Sequence, residues 1–250
     1  MAVPPTDAAA AAGAPSRAGA WVDLSLTLPI FLVYHFGVVF LNVRNATDWV
    51  TTNLMAVSEG STGVYLLLTA SIGVVFAGFF SWLGRGQAFK TGKFVQVLVE
   101  GTAYAIVMRL TGAWAAGLFL GPHTGKESFA SGVITSFGAG FYEELAFRVI
   151  LFGFGGQLVA WLVTGEPFRA LTGGSRLSAR GFFVIALWGA ACALLFSGVH
   201  YIGPLRDTFT LPSFAFRAAL GVVLTLIYAF RGFATAVWAH AIYDVWVVVF

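Results

Sequence analysis

Long apolar runs separated by short polar stretches dominate the chain. They extend over about 22–42, 62–83, 94–120, 129–162, 181–202, 212–230 and 234–250. Each is near or above the roughly 20 residues that a helix needs to cross the hydrocarbon core of a bilayer. The pattern predicts an all-α fold, a polytopic transmembrane helical bundle of about seven spans within a range of six to eight. The range comes from the fourth run. It exceeds one straight crossing and carries Gly138, Gly140, Gly153, Gly155 and Gly156, so it is expected to kink, tilt or break into two helices.

Composition supports the membrane assignment: 58% of the 250 residues are hydrophobic and 10% are charged, against roughly 25% charged in a soluble domain. Residues 1–20 are rich in Ala, Pro and Gly, with Asp7 and Arg17 as their charges. They lack the basic start and compact apolar core of a cleavable signal and are expected to form a disordered tail. Residues 21–128 then form the amino-terminal transmembrane helices. The one cysteine, Cys192, lies in an apolar run, so neither a disulfide framework nor a cysteine zinc site is expected.

The net charge of +3 is concentrated in a few loops. It bears on membrane orientation, and no nucleic-acid partner is expected. Arg85, Lys90 and Lys93 share one loop and Arg169, Arg176 and Arg180 another; with seven spans both fall on the side of Arg17 and Arg231. The other side has Arg44, Lys126 and Arg206. Basic residues are retained on the cytoplasmic side, which predicts a cytoplasmic amino terminus.

Inside the runs stand residues that lipid excludes: Glu100, Arg109, Glu143, Glu144, Arg148, His200, His240 and Asp244. A charge at mid-membrane costs on the order of 3 kcal/mol on insertion scales, so each marks a functional candidate. Glu144 and Arg148 are four apart on one helix face, acid before base, and are expected to pair. Glu143 points elsewhere and is left without a partner on its own helix, free to face a cavity as a general base. Phe196 and His200 are four apart, so the ring can pack beside the imidazole; His240 and Asp244 share the same spacing. Two histidines and a carboxylate could together activate a water and stabilise an oxyanion. The alternative is a structural ion cluster between helices. His35 reads as a core residue and His123 as a loop residue; Arg217 is expected to snorkel near a span end.

Three segments, Glu143-Glu144-Leu145-Ala146-Phe147-Arg148, Phe196-Ser197-Gly198-Val199-His200 and His240-Ala241-Ile242-Tyr243-Asp244, resemble in order the three motifs of the CPBP family. That family, also called Abi, includes CAAX-prenyl endopeptidases of the Rce1 type, bacteriocin-processing and immunity proteins, and related bacterial intramembrane proteases. The resemblance covers about 129–250 and implies an Rce1-like catalytic core there. It implies a glutamate-dependent intramembrane endopeptidase in which Glu143, helped by His200, deprotonates the attacking water. His240 and Asp244 would support the oxyanion, with Glu144, Arg148 and Phe196 holding the site in shape. The prenyl-protein proteases often carry Asn where this chain has Asp244. An ionised Asp would repel an oxyanion, so Asp244 is either protonated or orients His240 by a hydrogen bond. No cofactor is expected. Zinc is the alternative, with Glu143, His200, His240 and Asp244 as ligands, although the local His-Glu-x-x-His signature is absent.

The expected partners are the lipid bilayer and a protein or peptide substrate with a hydrophobic or carboxy-terminal anchor. An Ala-rich, Arg-over-Lys composition resembles that of a high-GC bacterium, which points to the inner membrane. Among the family's branches, sorting enzymes of the myxosortase kind fit that composition and topology. Two rival functions are a transporter pathway, which would show two related halves with broken helices, and a non-catalytic immunity or binding protein.

Overall fold

A computed structural model describes residues 20–45, 47–83, 91–119, 128–165, 178–203 and 206–249. The expected tail, except for residue 20, lies outside the described residues, as do His123, Lys126, Arg85, Lys90, Arg169 and Arg176. All regular structure among the described residues is helical. Helices α1 (Ala20–Ser25) and α2 (Leu28–Leu41) meet at a turn where Pro29 opens α2. Then come α3 (Trp49–Val57), α4 (Thr62–Leu83), α5 (Thr91–Phe119) and a long helix from Phe129 to Thr164, followed by α8 (Ala179–Val199), α9 (Leu211–Arg231) and α10 (Phe233–Val249). The long helix comprises α6 (Phe129–Gly138), π-helical turns at Ala139–Glu143 and Leu145–Phe154, and α7 (Gly155–Thr164).

Among the described residues, six spans are long and apolar enough to cross a membrane: Val22–Leu41, Thr62–Phe79, Thr91–Ala115, Phe129–Thr164, Ala179–Val199 and Leu211–Arg231. The seventh predicted run is α10, a helix of 17 residues at the short end of the spanning range. The protein is an integral membrane protein whose surface is apolar. Leu67, Val74, Leu110, Trp114, Phe182 and Phe230 all face outward, while Glu143, Glu144, Arg148 and His240 lie within. That arrangement suits a hydrocarbon solvent, where charge must find its partners inside the protein.

The fourth run is one continuous helix of 36 residues, which resolves the choice between one helix and two. Its glycines serve close approach. A Cβ on Gly138 would lie 2.4 Å from the Tyr34 ring, and one on Gly140 would meet the Ala241 side chain at 2.8 Å and the Val237 carbonyl at 2.9 Å. Small residues let membrane helices draw their backbones together. The helix widens into π turns from Ala139 onward, a departure that recurs at functional sites.

Helix α10 occupies the middle of the bundle, with Ala234, Ala236, Val237, Ala239 and Ala241 fully buried. It packs against α5, where Gly101 leaves room for Trp238, and against the first π turn, where Gly140 does the same for Ala241. Its amino-terminal N–H groups are capped from far away in sequence: an Asp23 carboxylate oxygen accepts from the Phe233 N–H and, at 3.1 Å, from the Ala234 N–H. Glu100 and Arg231 join α5 to the end of α9, with Arg231 Nε donating to Glu100 Oε2 at 3.0 Å. Arg217 does more than snorkel. It donates to Tyr201 Oη at 2.8 Å, Ser213 Oγ at 2.5 Å and Asp207 Oδ2 at 2.5 Å, tying the segment after His200 to α9.

Candidate active site

The three motif segments converge inside the bundle. Glu143 closes the first π turn, His200 caps the carboxyl end of α8, and His240 and Asp244 lie one turn apart on α10. Two adjoining constellations result.

The first pairs Glu143 with His200. Glu143 is buried, at 8% exposure, and its Oε2 faces His200 Nε2 at 3.9 Å. That separation is too long for a direct hydrogen bond, yet one water could donate to both acceptors across it. The other end of each group is fixed. His200 Nδ1 lies 2.8 Å from the Phe196 carbonyl, a bond that requires Nδ1–H and leaves Nε2 as the acceptor in a neutral ring. Glu143 Oε1 accepts from Asn45 Nδ2 at 2.9 Å.

The second constellation is built on Glu144, which is fully buried. Its Oε1 lies 3.1 Å from Arg148 Nη1 and accepts from His240 Nδ1 at 2.7 Å. The expected ion pair along the helix is present and gains a third member from α10. His240 Nε2 lies 3.4 Å from Asp244 Oδ2, so both ring nitrogens face carboxylates, an arrangement that the two N–H donors of an imidazolium satisfy. Asp244 lies against the ring, where it can orient His240. Arg148 also donates to the Gly221 carbonyl of α9 at 3.4 Å.

Phe196 joins the two constellations. Its ring centroid lies 5.2 Å from that of His200 and 6.1 Å from that of His240, and the Arg148 guanidinium stacks over it at 4.3 Å. Phe147 meets its edge at 5.3 Å. Ser197, inside the same motif, donates to the Phe214 carbonyl at 2.7 Å and fixes the end of α8 against α9.

Every predicted site residue therefore lies in this cluster. His35 is outside it: fully buried, it hydrogen-bonds to Tyr65 Oη at 2.8 Å and Tyr142 Oη at 2.5 Å. Motif reading missed Asn45 and the direct bond from Glu144 to His240. The available signal for Asn45 was a polar island at 42–48 between two apolar runs. As for a metal, among the described residues no three His, Cys, Asp or Glu side chains come together to hold an ion.

Comparison with known proteins gives one match. Residues 125–246 match the model of the Type II CAAX prenyl endopeptidase Rce1-like family. That stretch holds all three motif segments. No curated protein and no solved structure matches the chain.

Proposed function

Because the chain belongs, through residues 125–246, to the Rce1-like family of type II CAAX prenyl endopeptidases, we propose that it hydrolyses a peptide bond near the carboxy-terminal, membrane-anchoring segment of a protein substrate. It does so with a water activated by Glu143 and His200. Membership of a peptidase family supports peptidase activity in general. The observation that carries the finer reading is the 3.9 Å separation of Glu143 Oε2 from His200 Nε2 inside a membrane-spanning bundle.

In this reading the bridging water gives a proton to Glu143 Oε2 as its oxygen attacks the scissile carbonyl carbon. His200 accepts the second hydrogen bond and orients the water, its ring held through the Phe196 carbonyl. The carbonyl oxygen becomes an oxyanion, to which the His240 Nε2–H donates in exchange for its long 3.4 Å contact with Asp244, while Glu144 holds the ring through Nδ1. The C–N bond then breaks and the proton on Glu143 passes to the leaving amine. Donors aimed at a developing charge act most strongly where water is excluded, which a buried site provides. The amino terminus is cytoplasmic in the membrane of a bacterial cell, and the substrate reaches the site from within the bilayer.

The test is cleavage in reconstituted vesicles of two probes: a prenylated carboxy-terminal peptide, and a reporter protein anchored by one carboxy-terminal apolar helix. Wild type, His200→Ala and His240→Ala are compared with and without a strong chelator. Cleavage of the anchored reporter by wild type, lost in both variants and indifferent to the chelator, is the expected result. Preference for the prenylated peptide would reassign the substrate, chelator sensitivity would restore a metal, and unimpaired cleavage by both variants would overturn the site.

A further inference from the structure

The family-matched segment supplies Glu143 but leaves one of its oxygens to be held from elsewhere. Asn45, in the loop between α2 and α3 and 80 residues before residue 125, donates from Nδ2 to Glu143 Oε1 at 2.9 Å. The orientation of its carboxamide is fixed by chemistry. Asn45 Oδ1 lies 2.8 Å from the backbone N–H of Thr47 and 2.5 Å from Thr47 Oγ1. A backbone N–H only donates, so the oxygen must face Thr47 and the NH2 must face the carboxylate.

The loop itself is braced. The Asn45 N–H donates to Tyr34 Oη at 3.0 Å, and Tyr34 Oη donates to Asp48 Oδ2 at 2.7 Å. Asp48 Oδ1 accepts from the Thr51 N–H at 2.9 Å and so caps α3. Tyr34 and Asp48 are buried, and the Tyr34 ring rests against Gly138, one turn before Glu143. The strut therefore reaches the catalytic helix at two points, the Gly138 backbone and the Glu143 carboxylate.

We propose that Asn45 is a positioning residue for Glu143: by holding Oε1 it leaves Oε2 as the oxygen that faces His200 and takes the proton of the water. This rests on the hydrolytic reading of Glu143 above. It extends the working unit of the site into the amino-terminal helices, so residues 125–246 alone do not complete it. A carboxylate with one oxygen tethered cannot rotate its second oxygen away from the attacking water. Losing that tether costs alignment of the reacting carboxylate.

The full-length protein is reconstituted with the carboxy-terminally anchored reporter, and wild type, Asn45→Ala, Asn45→Asp, Thr47→Ala and Glu143→Gln are compared. Asn45→Ala is expected to lower kcat by about 10- to 100-fold with KM within about two-fold, as misplacement of a reacting group does. Asn45→Asp keeps the acceptor for Thr47 but turns a second carboxylate toward Glu143, so its loss should be at least as large. Thr47→Ala should show a smaller loss of the same kind and serves if the Asn45 variants do not fold. An infrared difference spectrum supplies a readout independent of turnover. With 11 Asp and Glu in the chain, the carboxylate band lost in Glu143→Gln can be identified, and it should shift in Asn45→Ala. Unchanged kcat in Asn45→Ala, or an unmoved band, overturns the positioning role while an inactive Glu143→Gln leaves hydrolysis standing. If Glu143→Gln cleaves as wild type does, the hydrolytic reading falls and this proposal falls with it.

Discussion

Replacing Arg148 with Met leaves Glu144 buried beside an uncharged thioether side chain. Arg148 is 1% exposed and Glu144 0%, so no water replaces the lost guanidinium. Breaking a buried ion pair from one side costs about 3–5 kcal/mol, and loss of a desolvated cation–π contact with Phe196 adds up to about 2 kcal/mol. Two features pull the sum toward its lower end. His240 Nδ1 remains a donor to Glu144 at 2.7 Å, and a chain unfolded within a membrane also finds polar partners. The expected loss is therefore about 3 kcal/mol, measured by equilibrium unfolding in mixed micelles. Adding Glu144→Gln removes the stranded charge while keeping an acceptor for His240, and the double variant should recover about half of the loss. An Arg148→Met protein within about 1 kcal/mol of wild type would refute the buried ion pair as an organising element; failure of the second substitution to recover stability would refute the stranded-charge argument.

Other substitutions test separate parts of the account. Asp23→Ala uncaps the first N–H groups of α10 and should lower stability by about 1–2 kcal/mol, visible as a lower midpoint in thermal unfolding in detergent. Gly140→Ala sets a Cβ against Ala241 and the Val237 carbonyl; an overpacking cost of about 1–3 kcal/mol should accompany loss of cleavage, because the strained contact lies three residues from Glu143. Asp244→Asn keeps an oxygen that can accept from His240 Nε2. If Asp244 acts by orienting that ring, the variant should retain cleavage within about 10-fold, whereas Asp244→Ala should lose more.

Different parts of the molecule were legible in the sequence for different reasons. The spans were readable because each apolar run is long and ends in polar residues, and every predicted run is helical, the first of them in two pieces, α1 and α2. The Glu144–Arg148 pair followed from spacing alone, since both residues lie on one helix. The bond from Glu144 to His240 spans 96 positions, and no spacing rule reaches that far; only the packing of α10 on the π turns supplies it. Glycines show the same divide. Their number in the fourth run suggested a kink, tilt or break, yet their nearest neighbours, such as Tyr34 at Gly138 and Ala241 at Gly140, belong to different helices. Asn45 carried no motif, and its meaning appears only when the α2–α3 loop folds over Glu143. The sequence suggests only that Arg217 snorkels near a span end, because its partners Tyr201 and Asp207 lie in the preceding segment.

The central claim is that Glu143 removes the proton from the attacking water. Glu143→Gln changes one oxygen to nitrogen, preserves size, and removes the basic group. The measurement is the single-turnover rate on the carboxy-terminally anchored reporter for wild-type and Glu143→Gln protein with matching thermal unfolding midpoints. A fall of about 10²- to 10⁴-fold, the usual contribution of a general base, is the predicted result; equal rates in two equally folded proteins would contradict the account.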